Sequence, residues 1–181
     1  MLQITVPGTE LYDEVNNEFI TVKEQTLTLE HSLVSLSKWE STWCKPFLSK
    51  DGLTTEQTID YIRCMTITQN VPPITYSLIT DANIKQVENY INAPMTATWF
   101  SDEKKSGRAS SEMVTAELIY YWMIALQIPM KCEKWHLNRL LTLVKVCNIK
   151  NAPPKKMGKR ATMSRNAAIN AARRKQLNSN G

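Results

Sequence analysis

The chain has 181 residues, of which 43% are apolar. That is enough to bury a core without disulfides, and it excludes a wholly disordered chain or a disulfide-stapled miniature. Charge is uneven: from Lys150 onward there are nine Lys or Arg and no acid, whereas residues 1–149 hold 13 basic and 17 acidic groups, a net of −4.

The opening segment LQITV alternates Leu2, Ile4 and Val6 on one face, the pattern of a half-buried strand ended by Pro7-Gly8. ELYDEVNNEFITV predicts two short strands about Asn16-Asn17, because Asn tolerates the positive φ of a tight turn. TLTLE adds Leu27 and Leu29 in alternation. The N-terminus has no basic, apolar secretory pattern, and Cys44, Cys64, Cys132 and Cys147 form no CxxC. Reduced thiols in a cytosolic setting, packed as small apolar groups, are the expectation.

From His31 the period becomes helical. Leu33, Leu36, Trp39 (or Glu40) and Trp43 recur on one face, and Pro46 stops the helix. Thr54 followed by Gln57 is a capping box, opening an amphipathic helix of Ile59, Ile62 and Ile67 with Tyr61 and Met65 nearby. VPPITYSLI is a proline-started turn of helix, and TDANIKQVENYIN a short helix capped by Thr80 or Asp81. MTATWF reads as a strand or an extended link, and SDEKKSGRASSE as a polar loop. EMVTAELIYYWMIALQ is apolar nearly all round, which predicts a central helix, ended by Pro129. It is too short and too interrupted for a membrane span. KCEKWHLNRLLTLVKVCN resumes the helical period, with Trp135, Leu137, Leu140, Leu141, Val144 and Cys147 inward. The expected fold is mainly α: a body over 1–151, β-rich over 1–29 with a small hairpin element and helical over 30–151. A basic tail follows over 152–181, partly disordered or conditionally helical.

Chemistry-bearing patterns are sparse. There is no GxSxG, no glycine-rich phosphate loop and no DxD cluster, and Asp60, Glu117 and Glu133 read as surface or core-edge groups. His136 follows Cys132 by four residues, so one helix would set them on one face as a metal-binding or nucleophile–base pair; Cys132 near a helix start and His136 as a boundary residue are the plainer reading. The expectation is no enzyme, no metal and no cofactor. Aromatic residues supply the candidate partner-binding set, Trp39, Trp43, Tyr121, Trp122 and Trp135, against the alternative that they fill the core. The tail adds Arg165, Arg173 and Arg174 to that set. As a nucleic-acid contact the tail would use Lys155, Lys156, Lys159, Arg160, Arg165, Arg173, Arg174 and Lys175. A helix formed against a partner and a solvated tail stand beside that reading.

Five strings, TLEHSLVSLSKWESTWCKPFLS, TIDYIRCMTI, LIYYWMIAL, KWHLNRLLTLVKVCNIKNAPPKKM and SRNAAINAARRKQL, resemble small proteins of tailed bacteriophages, the tail assembly chaperones encoded near the tape measure protein. The resemblance runs from about Thr28 to the end. It implies a non-enzymatic protein that binds the long, helical tape measure protein in the host cytoplasm, keeps it soluble until tail-tube subunits surround it, and is absent from the mature virion. The major tail protein is a second implied partner. Body and tail would share the client contact. The alternatives are a nucleic-acid-binding phage protein acting through its tail and a structural tail or neck component. No membrane role is expected.

Overall fold

The computed structural model describes residues 1–13, 17–49, 52–100, 113–153 and 159–177. The protein is mainly α, with seven α-helices among the described residues and a small antiparallel β element at the N-terminus. Two compact units divide it, Met1–Asn148 and Ile149–Gly181.

The first unit begins with β1 (Leu2–Val6), β2 (Thr9–Asp13), β3 (Glu18–Val22) and β4 (Gln25–Leu29). β1 pairs with β4 and β2 with β3, in a register that runs unchanged from Leu2↔Leu29 to Asp13↔Glu18. The strands therefore form one two-stranded ribbon, broken where Pro7 lacks the N–H a ladder needs. Gly8 crosses the other strand so closely that a Cβ would lie 2.7 Å from the Glu24 nitrogen. The anchored half buries Ile4, Val6, Leu27 and Leu29, as their alternation predicts. The distal half leaves Tyr12, Phe19 and Ile20 exposed. Asn17 takes a positive φ of 53°, as the predicted turn requires; Asn16 lies outside the described residues.

The helices are α1 (Leu33–Trp43), α2 (Thr55–Met65), α3 (Pro73–Ser77), α4 (Asp81–Asn92), α5 (Ala116–Ala125) and α6 (Leu137–Asn151). Their starts are chemically marked. Ser32, Thr54 and Thr80 each accept from the N3 backbone N–H and complete a capping box. α2 ends sooner than its sequence period suggests: Thr66 is extended, and Ile67 donates its N–H to Thr28 O at 2.8 Å. Ile67 is thus an exposed residue beside β4, and the buried face of α2 is Gln57, Tyr61, Ile62 and Met65.

Two apolar clusters fill this unit. One joins β1 and β4 to α2 and α4 through Leu29, Tyr61, Ile62 and Val87. The other joins α5 to α6 through Ile119, Met123, Leu137 and Leu140. α1 serves both, giving Trp39 to the first and Leu33 and Leu36 to the second. This corrects the expectation that α5 is the central helix. Only Ala116, Ile119 and Met123 of α5 are buried, while Tyr121 and Ile124 are 64% and 68% exposed. The helix expected over 131–148 is also divided: Met130–Lys134 is a short 3-10 helix, and α6 starts at Leu137.

Glu40 locks α1 to its neighbours. Its carboxylate, on a residue only 7% exposed, accepts from Phe47 N–H at 2.8 Å and Ala116 N–H at 2.7 Å. The second donor is one of the unpaired N–H groups of the first turn of α5, where a negative charge also meets the favourable end of the helix dipole. A Glu40→Gln variant turns one acceptor oxygen into an NH₂ donor and strands one buried N–H. Urea unfolding is expected to show a loss of about 2 kcal/mol. An unchanged midpoint would mean that water replaces the lost acceptor.

Candidate partner-binding surface

The predicted aromatic set separates by burial. Trp39 is 1% exposed, donates from Nε1 to Gln57 O at 3.0 Å, and packs edge-on to Phe47 with ring centroids 5.2 Å apart. It is a core residue and not a contact residue, because its face of α1 carries the β-ribbon cluster. Trp43 stacks on Trp39 at 6.2 Å and is half-buried, its Nε1 donating to Asp60 Oδ2 at 2.9 Å. Trp122 and Trp135 are half-buried against the α5–α6 cluster, and the Arg139 guanidinium lies 4.2 Å from the Trp135 ring centroid. Tyr121 alone of the five is strongly exposed.

Tyr121 has company that sequence reading missed. Ile124 lies three residues on, hence beside it on the helix surface. The solvent side of α5 reads Glu117, Tyr121, Ile124, Ala125, with one charge. Once Ala116, Ile119 and Met123 are seen to be buried, helix geometry fixes which way the remaining apolar residues point, a choice the apolar run alone does not make. Other exposed apolar residues are Trp99, 86% exposed in the 95–100 link, which is neither helix nor strand, and Tyr12 and Phe19, whose rings meet at 5.1 Å on the distal ribbon. Between α2 and α4 lies an apolar hollow of about 230 Å³ bordered by Phe47, Leu53, Ile84 and Val87.

The Cys132–His136 pair does not assemble. Cys132 is buried in the 3-10 helix and His136 stands before α6, so no single helix carries both. Both His136 ring nitrogens are engaged: Nε2 donates to Tyr90 O at 3.0 Å, and Nδ1 accepts from Asn138 N–H at 3.3 Å. His136 belongs instead to a buried polar seam. Its ring meets that of His31 at 5.1 Å, His31 Nδ1 bonds the Tyr61 hydroxyl at 2.6 Å, and Tyr90 donates to Glu30 at 2.7 Å. Burial lowers the His31 pKa to about 3, helped by the facing His136, and burial also lowers that of His136. Burial raises the Tyr61 and Tyr90 hydroxyls, and pushes Tyr120, which donates to Glu133, up to about 12. The two histidines thus tie β4, α2, α4 and α6 together through Tyr61 and Tyr90. Among the described residues, no group of three His, Cys, Asp or Glu could hold a metal ion.

In the second unit, Lys159–Leu177 forms the 19-residue helix α7. It carries Arg160, Arg165, Arg173, Arg174 and Lys175 exposed, and Lys159 at its first residue. Lys155 and Lys156 lie outside the described residues, as does the predicted polar loop over 101–112. No described helix is long and apolar enough to cross a membrane. No family model, curated protein or solved structure matches the chain.

The histidine seam sets an acid limit. The folded state keeps His31 neutral down to about pH 3, whereas the unfolded chain takes up that proton near its ordinary 6.5. Between those values the unfolded state binds more protons, so stability falls as pH falls, at up to about 1.4 kcal/mol per pH unit from this group. Urea midpoints from pH 7 to 4 are expected to drop more steeply for the native chain than for His31→Asn. Parallel curves would remove His31 as the cause.

Proposed function

We propose that this chain is a non-enzymatic tail assembly chaperone of a tailed bacteriophage, and that its client is the tape measure protein. The observation that carries the reading is the solvent face of α5, where Tyr121 and Ile124 stand exposed in one stripe. An apolar helix face turned to water suits a client whose own helices carry unpaired apolar stripes, because pairing the two faces removes both from solvent. The resemblance of the phage-like strings, among them LIYYWMIAL over most of α5, supports that choice of client. The contact is reversible by design: a few exposed anchors give modest affinity, and the tail-tube subunits that follow can displace them. The site of action is the host cytoplasm, the mature virion lacks the protein, and the reaction needs no cofactor. The major tail protein meets the complex when the tube forms.

The test is co-expression with the tape measure protein of the same phage. Size exclusion at 0.5 M salt, roughly where surface charge is screened to within 4–5 Å, is expected to give a soluble complex of the two. Tyr121→Glu with Ile124→Glu, both at exposed positions, is expected to cost little stability. It should weaken capture at least about tenfold, or about 1.4 kcal/mol. An insoluble tape measure protein with this chain eluting alone would sink the reading, as would abundant copies of the chain in purified virions.

A further inference from the structure

We infer that α7 is a nucleic-acid-binding helix that lies in the major groove of duplex DNA. The argument starts from where its charges fall. At about 100° per residue, Arg160, Arg165, Arg173, Arg174 and Lys175 leave no arc of the helix wider than about 100° without a cation. The whole helix holds no acid. Its large apolar residues, Met163, Ile169 and Leu177, are exposed and share an arc of roughly 120°, but Arg173 falls inside that arc, so the helix has no uncharged apolar stripe. A groove on another protein and a membrane surface both take a helix by such a stripe. A helix charged on every side suits the opposite geometry, a concave polyanion whose walls flank it.

Size selects the groove. An α-helix with its side chains is about 10–12 Å across, and the major groove of B-form DNA is about 12 Å wide. The major groove of A-form RNA is deep and too narrow for side chains to read. The run Asn166–Ala172 contributes only Asn, Ala and Ile169 between the two cationic ends, so the middle of α7 can sit close to the groove floor. Arg160 and Arg165 at one end and Arg173, Arg174 and Lys175 at the other then reach phosphates on the two walls. The C-terminal trio also complements the helix dipole and helps α7 form. This contact rests on α7 alone and is independent of the α5 face, so either can fail without the other.

The experiment is fluorescence anisotropy of the full chain with a 20-base-pair DNA duplex, the matching RNA duplex and poly-glutamate. Four to five phosphate contacts predict that DNA affinity falls about 100- to 1,000-fold from 50 to 200 mM salt. Arg173→Gln with Arg174→Gln keeps good helix formers and is expected to flatten the log–log salt slope by about 2. Circular dichroism checks that α7 persists in the variant. The RNA duplex is expected to bind more weakly. No DNA binding at 50 mM salt, equal affinity for poly-glutamate, equal affinity for duplex RNA, or an unchanged slope in a variant that keeps its helix would each overturn the inference.

Discussion

One buried carboxylate sets the arrangement of the helical body. Glu40 receives the N–H of Phe47, just after the end of α1, and the N–H of Ala116, at the start of α5. The carboxylate needs both donors, because an unpaired charge at this depth would be costly. The two segments therefore cannot shift independently. Phe47 is drawn over Tyr61, with ring centroids 4.0 Å apart, and this closes the cluster under α2. Ala116 fixes the rotation of α5, and that rotation turns Ile119 and Met123 inward and Tyr121 and Ile124 outward. The exposed stripe follows from a hydrogen bond two turns away.

The two apolar clusters are joined by polar contacts as well as by α1. The carbonyls at the C-terminal end of α4 are met from the start of α6. His136 donates to Tyr90 O, and Asn138 Nδ2 donates to Ile91 O and Ala93 O at 2.8 Å each. Leu137 N–H completes the seam by donating to His31 O at 2.8 Å. On the far side of the first cluster, Asn83 donates to Thr5 O and holds α4 against β1. Among the described residues no buried side-chain nitrogen or oxygen lacks a partner. Such directional bonds specify which helix ends meet, a choice that apolar packing alone leaves loose.

What the sequence made legible was local. The strands, the capping box at Thr54, the cap at Thr80 or Asp81 and the proline-started α3 all follow from spacing over a few residues. Glu40 was legible only as an alternative to Trp39 on the inward face of α1, and its role was not, because its partner lies 76 positions away. His136 looked like a boundary residue, and only the fold brings Tyr90 and His31 to it. α5 misled for a different reason: an apolar run reads the same whether its far side meets the core or water. Trp39 and Tyr121 belonged to one aromatic set in sequence, and burial alone separated them. The two ends of α7 were legible as charge, whereas their spread around the helix needed a continuous helix to measure.

The ribbon carries a constraint on how this chain can change length. Its two halves keep one register across the break at Pro7-Gly8, since Val6↔Gln25 and Thr9↔Val22 are separated by two residues on each strand. Adding one residue to a single strand would either slip every distal side chain to the opposite face or force a bulge. The arm that presents Tyr12 and Phe19 can therefore grow or shrink only by matched steps on both strands, or at its turn. Insertions and deletions on either side of that turn are coupled.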